Sequence, residues 1–369
     1  MNVKVSNQVS SYFLFFLMHG AQTGLSFLNF QSKIIKGAGN DSWLVLIILG
    51  IITQILFLMM LFILKHSSSK DIISFHKDVF GKFFGGTLNV LMAFYFSLAS
   101  LYVLYSYINI LQIWVFSGVA TWEFSLIFLI LIYYIVSGGF RIITAIAFWG
   151  IVIPSFMLLS LFYLIRFSEI TYVLPLFNHS ITEYLQSAKE AVSLFFGFET
   201  VLVFFPFIKD GEKNTKWGHV ALIYTTILYT VIAFVTFIYF TQGKLKYLTW
   251  PTLTMIKIIK FSFLERFEFI FIFTWLLVIL PVICIYLWSA IRSLKFTFNK
   301  VKPTYFLIGI LILFHFFNVE YIELRNYYIL TDIVTYIGMV FTFVYIPILF
   351  IICFIRVKLK NKRKIKVMG

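Results

Sequence analysis

Apolar residues run along this chain in long blocks, each about one membrane thickness, separated by short polar or charged stretches. Ten blocks can be drawn, at residues 8–33, 43–64, 87–114, 122–138, 142–165, 186–207, 218–241, 267–291, 304–320 and 331–355. Each is near the ~20 residues a helix needs to cross the hydrocarbon of a bilayer. The pattern therefore predicts an all-α polytopic membrane protein with ten transmembrane helices. The first block is long enough to span and has no small-residue cleavage pattern after it, so it is expected to be retained rather than removed as a leader.

Two blocks are interrupted. The first is apolar from Ser10 to Met18, passes through His19, Gly20, Ala21, Gln22, Thr23 and Gly24, and resumes at Leu25–Phe30. Freed backbone groups are tolerated at membrane depth only where protein or a water-filled cavity satisfies them. One reading is an unwound segment whose N–H and C=O groups hold a polar ligand. The other is close helix packing on Gly20 and Gly24, a small-xxx-small pair. The second interrupted block, AVSLFFGFETVLVFFP from Ala191 to Pro206, sets Gly197 and Glu199 in its middle. A charge in hydrocarbon costs roughly 3 kcal/mol on insertion scales, so Glu199 is expected to face a cavity, a partner or the bundle interior. Gly197 adds about 1 kcal/mol of lost helix propensity beside it. A helix broken there, helping to build a small-molecule site at mid-membrane depth, is the expected result.

Between these, the signals are weaker. Ile72, Phe75, Val79 and Phe83 follow helical spacing among charges and predict an interfacial helix within 65–86. Tyr95, Tyr102 and Asn109 recur every seventh residue of the third block and share a face, either lining a cavity or packing with their polar groups on backbone. Pro154 and Pro281 predict bends. The 166–190 loop ends in an amphipathic stretch, and Pro251 starts a second one with Leu253, Ile256, Ile259 and Phe263 on one side. Glu265, Arg266 and Glu268 read as a local charge cluster, and the lone His19 and His315 as packing residues.

Composition agrees with the blocks: of 369 residues, 61% are hydrophobic and only 12% charged, and Cys284 and Cys353 sit inside apolar runs as small buried hydrophobes rather than a disulfide or metal pair. The net charge of +15 would suit nucleic acid, but its placement does not. Twenty of the thirty basic residues fall on one side of the ten-span topology, where only Asp71, Asp78, Asp210 and Glu212 join them. That side is expected to be cytoplasmic, with both termini inside, and the basic tail after residue 356 to be an anchor at anionic lipid. Patterns for hydrolases, P-loops and thiol redox motifs are absent, and Glu199, His19 and His315 lie on three separate blocks. Neither an enzyme nor a metal or cofactor site is expected.

The blocks divide into two halves, 1–165 and 186–356, of opposite orientation, followed by a tail at 357–369, within one integral membrane domain. Each half opens with a glycine-interrupted helix. That is the sequence pointer to a 5+5 inverted repeat with discontinuous helices 1 and 6, whose binding site lies where the two breaks meet. Half-helix N-termini hold carboxylates there and C-terminal carbonyls hold ammonium groups, which suits an amino acid.

The stretches WPTLTMIKIIKFSFLERFEFIFIFTW (250–275), FFGFETVLVFFPF (195–207), TGLSFL with NDSW (23–28 and 40–43) and GKFFG (81–85) resemble the B subunit of the spore germinant receptor, within the amino acid–polyamine–organocation superfamily. The resemblance implies an inner-membrane protein of the spore that works with an A subunit and a lipoprotein C subunit. It would sense a small nutrient, often an amino acid, and start germination. The family's first-span motif resembles G-x-G-(I/L)-L-x-L-P, whereas this chain has Gln22 at the first glycine and Asn29 at the proline, so ligand identity does not carry over. The expected pocket comprises Gln22, Thr23, Gly24, Phe196, Gly197, Phe198 and Glu199, with Tyr95 and Tyr102 as a wall. Glu199 would either bind a ligand ammonium or support the unwound backbone. A proton- or sodium-coupled amino-acid transporter is the alternative function.

Overall fold

The computed structural model describes residues 3–259, 266–321 and 324–368. Its helices are α1 (Phe13–Gln22), α2 (Phe30–Ile34), α3 (Ser42–Lys65), α4 (Ile72–Trp114), α5 (Thr121–Ser137), α6 (Phe140–Leu158), α7 (Ile181–Ala191) and α8 (Val201–Phe204). After these come α9 (Lys216–Tyr239), α10 (Gln242–Leu245), α11 (Pro251–Ile256), α12 (Phe267–Thr297), α13 (Pro303–Phe316), α14 (Leu324–Met339) and α15 (Ile346–Met368). Among the described residues, seven helical runs are long and apolar enough to cross a membrane. A bent pair, Ile181–Phe195 with Phe198–Phe207, makes an eighth, while α1 and α5 are shorter apolar helices. This is an integral membrane protein built of helices.

The helices bury one face in the bundle and leave an apolar face outward. On α3, Ile48, Ile51, Ile55 and Leu58 are half exposed and follow helical spacing, while Leu46, Thr53, Phe57 and Met60 are fully buried. An apolar stripe left outside is costly in water and natural in lipid. The central element is α12, which packs along α4 and α6. Pro281 lies inside it and has no N–H to give the carbonyl of Leu277. There α6 makes a close approach through Gly150, where any side chain would strike the Leu277 carbonyl oxygen.

Local chemistry sets the connections. The amphipathic stretch after Pro175 forms α7, started by a capping box in which Ser180 and Glu183 satisfy each other's backbone N–H groups. The helix read within 65–86 is present as the first part of α4, set off from the span by a break at Gly81. Asp71 caps it, accepting from Ser74 N at 2.8 Å, and the chain breaks at Gly81 (φ 77°, ψ −178°) before continuing into the span. Ile72 and Phe75 are buried, but Phe83, beyond that break, is 80% exposed, so the four apolar positions do not share one face. His76 ties the segment down through Asn89 Oδ1 and Tyr345 OH, each 2.7 Å away. Leu253, Ile256 and Ile259 are buried around α11 rather than lying on a surface. Phe263 and Glu265 fall outside the described residues, while Arg266 and Glu268 pair at 3.1 Å.

The two interrupted segments are tied together at both ends. Val9 N donates to Phe207 O at 2.8 Å, and Lys209 N donates to Val9 O at 2.9 Å. At the other end, Ser187 Oγ donates to Ile34 O at 2.6 Å and accepts from Ala38 N at 2.8 Å.

Candidate functional site

The first break is made by Thr23 and Gly24. Thr23 caps α1, its backbone N–H and its hydroxyl both donating to His19 O at 2.9 and 2.8 Å. Gly24 is extended (φ −90°, ψ −154°), and its N–H turns back to Gln22 O at 2.9 Å. The chain then makes one tight turn over Leu25–Leu28 before α2. Tyr229 of α9 donates its hydroxyl to the same Gln22 carbonyl at 2.8 Å, supplying from a neighbouring helix what the broken helix lacks.

The second break lies at Phe196 and Gly197. Phe196 is extended and Gly197 adopts φ 108°, ψ −37°, a conformation that L side chains rarely adopt. A Cβ on Gly197 would also collide with the Ala21 carbonyl oxygen, so the two breaks touch backbone to backbone. Beyond it, Thr200 Oγ1 donates to Gly197 O at 2.6 Å.

Glu199 is fully buried and fully engaged. Its Oε2 accepts from Gly197 N at 2.6 Å, and its Oε1 accepts from Tyr95 OH at 2.8 Å and Tyr286 OH at 3.2 Å. The N–H freed by the break is thus met by the chain's own carboxylate, and the two tyrosines from α4 and α12 orient that carboxylate. The geometry is that of a backbone support, with the tyrosines between Glu199 and the open space.

That space is a cavity of about 60 Å³ between the breaks, lined by Ala21, Gln22, Gly24, Ser26, Tyr95, Ala99, Tyr102, Val103, Ser193, Phe196, Val282, Tyr286, Val334 and Thr335. Of the residues the sequence singles out, Gln22, Gly24, Tyr95, Tyr102 and Phe196 line it, whereas Thr23, Gly197, Phe198 and Glu199 stand behind the lining and shape it. Gln22 Nε2 donates to Phe195 O at 3.1 Å, joining the two broken segments. Its Oε1 is buried without a hydrogen-bond partner, an acceptor left open in a side chain only 3% exposed. A buried acceptor without a donor costs about 1–3 kcal/mol, a cost that an N–H or O–H group reaching it would relieve. Tyr286, Ser193 and Thr335 were not singled out in the sequence; Tyr286 is the one signal that was available, a lone tyrosine in the apolar eighth block.

The other polar groups read as packing. His19 Nδ1 lies 2.8 Å from Thr225 Oγ1, with its ring against Phe15 and Tyr224. His315 sits 3.1 Å from Ser125 Oγ. Cys284 and Cys353 are free and buried. Among the described residues, no group of three or more His, Cys, Asp or Glu is placed to hold a metal ion.

Comparison with known proteins adds identity to this geometry. The family described as spore germination protein matches residues 8–326. Spore germination protein GerQB of Bacillus cereus is 36% identical over 360 residues, covering 97% of this chain and 99% of that protein. Two proteins of Bacillus subtilis (strain 168) are more distant. Spore germination protein B2 is 24% identical, covering 68% of this chain and 69% of its own length. Spore germination protein A2 is 22% identical, covering 74% and 76%. With both broken segments inside the matched region and a relative aligned nearly end to end, this chain belongs to the spore germination protein family.

Proposed function

We propose that this chain is the nutrient-sensing subunit of a spore germinant receptor, resident in the spore inner membrane with both termini cytoplasmic. It works with an A subunit and a lipoprotein C subunit, and binds rather than transforms its ligand. The two breaks are the discontinuous first and sixth helices of a ten-helix 5+5 inverted repeat, and the germinant, an amino acid, sits between them. The observation that carries this reading is the unpaired Gln22 Oε1 beside a cavity bounded by both breaks. Its partner would be the ligand's ammonium group.

The cavity has room for only a few water molecules at about 60 Å³, so a ligand larger than that needs the two broken segments to part. Binding would then favour one arrangement of the segments over another and pass that preference to the partner subunits. The signal can be no larger than the ligand's differential affinity for the two arrangements.

Two measurements test the proposal. Spores carrying Gln22→Ala should need at least several-fold more nutrient for half-maximal germination at unchanged protein level, and an unshifted dose–response removes Gln22 from the site. Purified protein in liposomes should bind its amino acid without accumulating it. Accumulation driven by a proton or sodium gradient would replace the receptor with a transporter.

A further inference from the structure

Away from the breaks, α5, α6, α12 and α13 enclose a second cavity, about 600 Å³, near the Val9–Phe207 tie. Arg141, Arg292 and Lys295 line it and no carboxylate does, among the described residues. Their partners leave most of this charge uncompensated. Arg141 Nη1 donates to the neutral Ser6 carbonyl at 3.1 Å, and Lys295 Nζ to the carbonyls of Asn299 and Val301 at 2.6 and 3.0 Å. Only Arg292 meets an acid, Asp71 at 3.1 Å. Its guanidinium lies over the Phe207 ring at 4.6 Å from the centroid, and its Nε is buried without a hydrogen-bond partner.

Three cations lining one cavity with a single carboxylate outside it repel one another, and an anion bound there would relieve that repulsion. Arg141 is exposed and Arg292 and Lys295 half-buried, and all three line the same cavity. Arginine's planar fork suits a phosphate's oxygens, and lysine adds a point charge. The N-terminal end of α6 at Gly139 and Phe140 and that of α13 at Pro303 and Thr304 also border the cavity and add positive helix ends. We propose that this cavity binds a phosphate-bearing anion, either the headgroup of an anionic lipid or a soluble phosphate compound. Its site lies outside the nutrient cavity and shares no lining residue with it.

The full chain in nanodiscs tests this, with phosphatidylcholine alone in one set and phosphatidylglycerol added in the other. Native mass spectrometry counts retained phosphatidylglycerol, and inorganic phosphate is titrated against thermal unfolding in the phosphatidylcholine set. Retention of phosphatidylglycerol, falling about tenfold in the double variant Arg141→Gln, Lys295→Gln but not in the exposed-loop control Lys213→Gln, assigns a lipid headgroup. Stabilisation by inorganic phosphate, lost in the same double variant and without lipid retention, assigns a soluble phosphate. Lys295→Gln alone carries the same comparison where the double variant does not fold. Neither retention nor stabilisation, or retention equal in variant and wild type, overturns the proposal.

Discussion

At the scale of single residues, Glu199 is the group whose environment most constrains its role. Its two oxygens take three hydrogen bonds, one from the backbone of the break and two from tyrosines on separate helices. Tyr95→Phe removes the shorter of the two hydroxyl contacts and should lower stability by about 1–3 kcal/mol, since the buried carboxyl loses a donor. Tyr286→Phe, at 3.2 Å, should cost less. Thermal unfolding of the purified variants in detergent checks the order, and a Tyr95→Phe protein as stable as wild type would mean that Glu199 is held by other means. That Glu199 matters was legible in the sequence, since an acid in an apolar block needs a reason. The hydroxyls that hold it were not, because Tyr95 and Tyr286 lie 104 and 87 residues away and meet it only through the fold.

At the scale of elements, the two breaks are built by opposite means. Gly197 is required twice over, by φ 108° and by the Ala21 carbonyl where a Cβ would stand, so Gly197→Ala should destabilise by about 3 kcal/mol or more. Gly24 is extended, with open space where its Cβ would go. Gly24→Ala should leave stability within about 0.5 kcal/mol, yet shift the nutrient dose–response because the methyl group enters the cavity's edge. Thermal unfolding beside spore germination curves separates the pair, and equal destabilisation by both would mean that the breaks are held alike. The sequence located both interruptions, but at the first it left a break and a Gly20/Gly24 packing face both open, and the structure shows the break at Thr23 and Gly24. It also placed a helix within 65–86, which runs from Ile72 to the break at Gly81, but carried its apolar face too far, to Phe83. Helical spacing survives in the letters across Gly81, while the positive φ there turns Phe83 away from Ile72 and Phe75.

At the scale of the whole molecule, the cavity sits between segments tied at both ends, by Val9 with Phe207 and Lys209 on one side and by Ser187 with Ile34 and Ala38 on the other. Neither tie could be read from the sequence, since one is made wholly of backbone groups and the other by a serine with no distinguishing context. Under the proposed receptor function, a ligand entering from either side would loosen one of them, giving the two arrangements between which it discriminates. The central claim is that the space between the breaks receives the nutrient, and Ala99, buried on α4 at the cavity wall, offers a direct way to close it. Ala99→Leu adds three carbons, enough to occupy much of a 60 Å³ void, at an overpacking cost of about 1–3 kcal/mol. The decisive measurement is thermal unfolding of wild type and Ala99→Leu in nanodiscs against each of the common amino acids at millimolar concentration. At least one amino acid should raise the unfolding temperature of the wild type and leave Ala99→Leu unmoved. Equal shifts in both proteins, or no shift in the wild type with any amino acid, would contradict the account.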